Sequence, residues 1–192
     1  MWPWEHLTVG YLAYSVYSRL TLEGRLTDRA ALAVAFGTQF PDLLDKPLAW
    51  VLTVMSDGST IGHSVFVAVP LSIIAYSLSA RRGHRDLGAA FAVGYLLHLP
   101  GDILYSVARG GAPAYTKVLW PFFTKQSSGG SLIVQVGGLS RRFVRFLLSP
   151  EGAGYAALEL LLLAVATIVW IDDGTPGLGW LAAVRRDVRD RE

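Results

Sequence analysis

Two stretches of this chain, residues 62–80 and 87–108, are almost free of charge, and the strongly polar side chains they do carry are histidine and aspartate. A bilayer core takes about 20 apolar residues of helix to cross, and these stretches, with a third at 154–171, meet or approach that length. Residues 62–80 contain no Asp, Glu, Lys or Arg and carry His63 at their start; residues 87–108 hold His98 and Asp102. An ionisable group at such depth is costly unless it finds a partner, a proton or a cation. The expected fold class is therefore all-α, a polytopic membrane helical bundle. Composition points the same way. Charged residues make up 17% of the chain and hydrophobic residues 52%, against about 25% charged in soluble domains, and the mean hydropathy is +0.40.

The remaining segments are shorter. A first helix is expected over roughly 7–20, interrupted by Arg19. A second is expected over 28–40, capped by Thr27 or Asp28 and ended by Pro41, because the residue before a proline is disfavoured in the α region. Residues 47–55 form a short apolar segment, interfacial or re-entrant. Residues 109–153 are dense in Gly, Pro and Ser, which punctuate helices into loops. Within them Arg141, Arg142 and Arg145 alternate with Phe143, Val144, Phe146 and Leu147, the pattern of an amphipathic interfacial segment lying on a membrane. One domain is expected over 1–184, followed by a charged tail at 185–192. The opening Trp-Pro-Trp-Glu-His lacks the basic start of a signal peptide. There is no cysteine, which excludes disulfides, thiolate zinc sites and thiol catalysis. The net charge of +2 is small and the arginines gather at segment ends, so no nucleic-acid partner is expected.

Cytoplasmic loops are rich in Lys and Arg. Arg81, Arg82 and Arg85 place the 81–86 loop inside, so the helix entering it begins outside at His63 and the helix leaving it ends outside past Asp102. Arg19, Arg25 and Arg29 likewise fall inside, which puts His6 and the Asp42–Asp45 turn outside. The last apolar run then returns to the cytoplasm. Six polar residues from separate segments thus converge on one membrane face. Lys117, Lys125, Arg141, Arg142 and Arg145 fall on that outer side, against the rule, and the interfacial helix only softens this conflict.

The convergent residues form an imidazole and carboxylate set: His6, Asp42, Asp45, His63, His98 and Asp102. His98 and Asp102 are four residues apart and share a helix face, although Pro100 between them favours a kink. Such an N/O set suits Zn²⁺ best, with Mn²⁺, Fe²⁺ or Mg²⁺ as alternatives. A divalent ion held there would bring the pKa of a water towards about 7. His63, His98 and Asp102 are the foremost ligand candidates, with Asp42 next. Asp45 and His6 are candidates for ligand, catalytic base or orienting group. Ser64 is a candidate phosphate contact or a helix cap, Glu159 faces either the site or the interface, and His84 reads as a loop residue. Lys117, Lys125 and the three arginines either attract an anionic headgroup or anchor the interfacial segment.

His6, Phe40-Pro41-Asp42-Leu43-Leu44-Asp45, Gly62-His63-Ser64, His98-Leu99-Pro100-Gly101-Asp102 and Trp120-Pro121-Phe122 follow one another in an order that resembles the membrane-bound metal-dependent hydrolase family, which includes LexA-regulated inner-membrane members. The chain departs from that pattern at 59–62, where members carry an arginine. The resemblance implies that the His and Asp positions bind metal and that the activity is hydrolytic. A site at headgroup level would take an amphiphilic or phosphorylated small molecule, with membrane lipids as neighbours and the plasma or inner membrane as the location. A non-catalytic transporter, ion-binding protein or scaffold is the alternative from a different class.

Overall fold

A computed structural model describes residues 1–21, 26–55, 58–123 and 132–179. Arg25, Lys125, the Ser127–Gly130 loop and the 185–192 tail lie outside the described residues. Among the described residues all regular structure is helical: α1 (Pro3–Thr21), α2 (Asp28–Trp50), α3 (Val65–Arg81), α4 (Arg85–Ala108), a short 3-10 helix (Tyr115–Val118), α5 (Leu132–Leu147) and α6 (Pro150–Asp172). Two of them, α4 and α6, are long and apolar enough to cross a membrane, while α3 is apolar but has 17 residues.

Local chemistry sets most boundaries. Thr27 caps α2, its hydroxyl accepting from Ala30 N at 3.2 Å. Ser64 and Ser149 cap α3 and α6 in the same way, and Pro150 follows Ser149 where a missing N–H costs nothing. Several expectations need correction. The N-terminal helices, expected to be short or re-entrant, are not short, since α1 has 19 residues and α2 has 23. Pro41 does not end α2; the helix continues through Pro41 and Pro47, and the expected separate 47–55 segment is its last turn followed by irregular chain. Each proline removes a single ladder donor, and a helix packed between others tolerates that loss. Likewise α4 runs unbroken across Pro100. The 109–153 region, expected to be irregular up to residue 140, already holds α5 from Leu132, with Gly137 and Gly138 inside the helix.

Helix α4 is central, packed against α1, α2 and α3. Its contact with α2 is close because both helices present glycine there. A Cβ on Gly37 would collide with the Phe91 carbonyl oxygen, and one on Gly94 with that of Val34, the small-residue solution to helix packing in membranes. Tyr14, Val34 and Ala90 fill the core at one end; Ala68, Tyr95 and Leu99 fill it at the other. Helix α6 packs chiefly on α1 and α5, with Val169 and Trp170 against the core cluster and Tyr155 beside Tyr105 of α4. Its C-terminal end is locked to α1 through buried Asp173, which accepts from Tyr11 Oη, Ser15 Oγ and Arg19, each at 2.7 Å. The rest of α6 presents Leu158, Leu160, Leu161, Val165 and Ile168 outward, a continuous apolar surface that water would not tolerate.

Candidate metal centre

The six His and Asp residues meet at one end of the bundle. His6 comes from the first turns of α1, Asp42 and Asp45 from the middle of α2, His63 from the loop before α3, and His98 and Asp102 from the second half of α4. His6, Asp45, His63, His98 and Asp102 are buried, and Asp42 is half-buried.

Asp45, fully buried, uses both oxygens on the loop that carries His63. Oδ1 accepts from Gly62 N at 2.8 Å; Oδ2 accepts from Thr60 N at 2.6 Å, His63 N at 3.2 Å and His63 Nδ1 at 2.8 Å. The loop is pinned again where Tyr95 Oη donates to the Gly62 carbonyl at 2.8 Å. Gly62 has to be glycine, since a Cβ would lie 2.9 Å from the Pro41 carbonyl oxygen. On the other wall His98 Nδ1 meets the Thr38 carbonyl at 2.6 Å. Pro41 leaves the preceding carbonyl, Gly37, without its ladder donor, and α2 accepts this side-chain bond within the same loosened turn.

These contacts fix the ring protons. A carbonyl and a carboxylate accept only, so His98 Nδ1 and His63 Nδ1 are both donors, and each neutral ring has a bare lone pair at Nε2. The two Nε2 atoms face each other at 3.2 Å. Around them stand Asp42 Oδ1 and Asp102 Oδ2, 3.5 and 3.7 Å from His63 Nε2. His6 stacks on His98 with ring centres 3.6 Å apart. Its Nε2 faces Asp102 Oδ1 at 3.3 Å, an ion-pair contact, but the buried nitrogen makes no well-aligned hydrogen bond. Two sets of three can hold an ion, His6 with His98 and Asp102, and Asp42 with His63 and His98, with ligand atoms in each within 4.8 Å of one another.

Opposed lone pairs repel unless a positive charge sits between them. A proton is one solution: burial disfavours a charged His63 ring, but its bonds to Asp42 and Asp45 and the nearby Asp102 outweigh that and raise its pKa from 6.5 to about 9. A divalent ion is the other. Two nitrogens held at about 2.0–2.1 Å on a tetrahedral ion lie about 3.3 Å apart, close to the spacing the two rings already have. The donor set therefore fits a borderline metal, with Asp45 and the Thr38 carbonyl as the groups that orient its histidines.

Several further neighbours complete the surroundings of the six residues. Lys46 reaches Asp42 Oδ2 at 2.5 Å, a pairing that its spacing of four residues made readable. The Thr38 carbonyl and the Tyr95 hydroxyl left no signal, because their roles depend on helix packing. Lys117 lies 3.6 Å from Asp102 Oδ2, and the Met1 ammonium group also pairs with Asp102. Ser64 caps α3 and donates to the Trp120 carbonyl at 2.6 Å, so its hydroxyl is occupied. Glu159 turns away from the site and accepts from Trp4 Nε1. Arg141, Arg142 and Arg145 stay exposed on α5.

The sequence profile of the YdjM inner membrane protein family matches residues 1–174 of the chain. No curated protein and no solved structure matches it. The chain belongs to the YdjM inner membrane protein family.

Proposed function

We propose that this YdjM-family membrane protein is a multi-pass, metal-dependent hydrolase whose centre is built from His63, His98, Asp42, Asp102 and His6. The observation that carries this reading is the pair of orientation-locked imidazoles aiming Nε2 at one point, 3.2 Å apart, beside two carboxylates. Buried structural histidines normally direct a lone pair at a donor. Here the two Nε2 atoms face each other beside two carboxylates, an arrangement that a proton on His63 or a metal ion between the rings stabilises, and the surrounding donor set favours the metal.

Each residue then has a definite task. His63 and His98 supply neutral nitrogen through Nε2, and Asp42 and Asp102 supply charge. Asp45, with both oxygens taken by Thr60, Gly62 and His63, holds the His63 ring rather than binding metal or acting as base. His6 Nε2, buried beside Asp102 Oδ1 at 3.3 Å, takes a proton from water there or completes the ligand set. Imidazole-rich coordination favours Zn²⁺, with Mn²⁺ and Mg²⁺ as the alternatives. A bound ion of this kind supplies Lewis acidity and makes water a nucleophile near neutral pH.

The substrate class follows from position. Helices α4 and α6 supply membrane-crossing length, and in this reading α3 adds a third pass and the site lies towards the headgroups, near the start of α3 and in the second half of α4. An amphiphilic ester, with its polar group at the centre and its chain in lipid, suits that placement, and a phosphoester is the first candidate. Purified protein loaded with zinc, manganese or magnesium and incubated with lipid phosphoesters is expected to release product. That activity is expected to disappear in His63→Ala and His98→Ala. No turnover with any of the three metals would overturn the hydrolase reading.

A further inference from the structure

The two carboxylates of the centre are each approached from outside by a lysine. Lys46, one helical turn after Asp42 on α2, meets Asp42 Oδ2 at 2.5 Å, and its ammonium group lies 5.7 Å from the centre of the Trp50 ring. Lys117, on the 3-10 helix, lies 3.6 Å from Asp102 Oδ2. That short helix is fixed in place: Val118 packs on the Ala68–Tyr95–Leu99 cluster, and the following Trp120 carbonyl is held by Ser64. Neither lysine is buried; their side chains keep 32% and 38% of their exposure. Each therefore has one side on the centre and one side open to what approaches it.

The two carboxylates also have a second demand on them. Asp42 Oδ1 and Asp102 Oδ2 face His63 Nε2, while Lys46 takes the other oxygen of Asp42 and Lys117 shares Asp102 Oδ2 with His63. Asp42 and Asp102 together offset the charge of a divalent ion, so once an ion is bound the Lys46 and Lys117 ammonium groups, with the Met1 ammonium that also pairs with Asp102, leave a net positive charge beside it. We propose that Lys46 and Lys117 form an anion clamp that gives this centre its preference for a phosphate-bearing substrate. This rests on the metal-centre reading above. A tetrahedral phosphate has enough oxygens to contact the ion and both lysines at once, and lysine serves phosphate as a mobile point charge. A carboxylate ester, neutral at the scissile group, gives the two lysines nothing to hold.

The test uses the full chain in detergent, loaded with zinc and checked for metal content. It is titrated with inorganic phosphate, and separately with phosphatidic acid in mixed micelles against phosphatidylcholine alone. K46Q and K117Q are each expected to weaken binding about tenfold, the worth of one charge-assisted hydrogen bond. Metal content is expected to stay at the wild-type level, and K46R and K117R to retain binding. Binding of inorganic phosphate alone identifies a free phosphate group as the ligand, and binding of phosphatidic acid alone a lipid headgroup; either supports the clamp. Unchanged affinity in the K46Q/K117Q double variant with metal retained overturns it and leaves the metal centre standing. Failure of the metal-loaded wild type to bind either probe also overturns it. A folded wild type that takes up no metal fails at the first step, which identifies the metal reading as the part that fell and removes the clamp with it.

Discussion

His63 joins the two halves of the centre, and its behaviour is set by a residue 18 positions earlier. Asp45 holds the ring by Nδ1 and the loop by three backbone N–H groups, so Asp45→Asn is expected to keep the fold and lower metal affinity about 10- to 100-fold, the usual cost of losing an orienting carboxylate. Competition with a metal-binding dye measures it; unchanged affinity would mean that Asp45 serves the loop alone. The same ring makes metal binding pH-dependent. A metal must displace the His63 proton, whose pKa is raised from 6.5 to about 9 by Asp42 and Asp45 against the opposing pull of burial. Affinity is therefore expected to climb as pH rises towards about 9 and then level off. In the metal-free protein the sign is reversed. A raised histidine pKa stabilises the fold fully below pH 6.5, and that contribution is lost as pH passes through about 9. Thermal unfolding with and without zinc across that window separates the two trends; parallel curves would contradict this assignment. At this scale the sequence was informative wherever a polar residue stood among apolar ones, as with His63, His98 and Asp102. The division of labour between Asp42 and Asp45 was hidden, because it depends on where the backbone of residues 60–63 lies.

Among the elements, the apolar runs marked α3, α4 and α6 clearly, while the prolines misled. Pro41 read as a helix stop, yet α2 continues through it, since neighbouring helices hold the chain in place around one missing donor; Pro100, read as a kink, lies inside α4. What orders the centre is the contact between α2 and α4, and it depends on Gly37 and Gly94. Gly37 adjoins Thr38, whose carbonyl positions His98. Gly37→Val is expected to push the helices apart, costing about 1–3 kcal/mol of stability and loosening the His98 ring. A fall in melting temperature together with reduced metal content is the expected pair of results. Loss of stability with full metal retention would separate the helix contact from the site. Helix α5 was legible from its arginine spacing. It lies at the site's end of the bundle, with Phe143 packed 4.5 Å from Trp2 and 6.2 Å from Trp4, ring centre to ring centre. An amphipathic helix in that place explains how Arg141, Arg142 and Arg145 come to lie on the side that the arginine count made external.

For the molecule as a whole, the alternation of helix direction puts all six polar residues at one end and the Arg19–Asp173 lock at the other. The convergence was readable from the arginines before any packing was known, whereas the number of passes was not, because length and apolarity single out only α4 and α6. The absence of native cysteine makes the proposed topology directly testable, since a single introduced thiol reports unambiguously. His84→Cys is expected to react from the cytoplasmic side only and Gly111→Cys from the opposite side only. Labelling of both from one side would contradict a membrane-crossing α4. Elemental analysis of the purified wild-type chain, beside His63→Ala and His98→Ala prepared in the same way, tests the central claim most directly. The expected result is about one divalent ion per wild-type chain and loss of that ion in both variants. A folded wild type without stoichiometric metal, or variants that keep all of it, would contradict a cation held between His63 and His98.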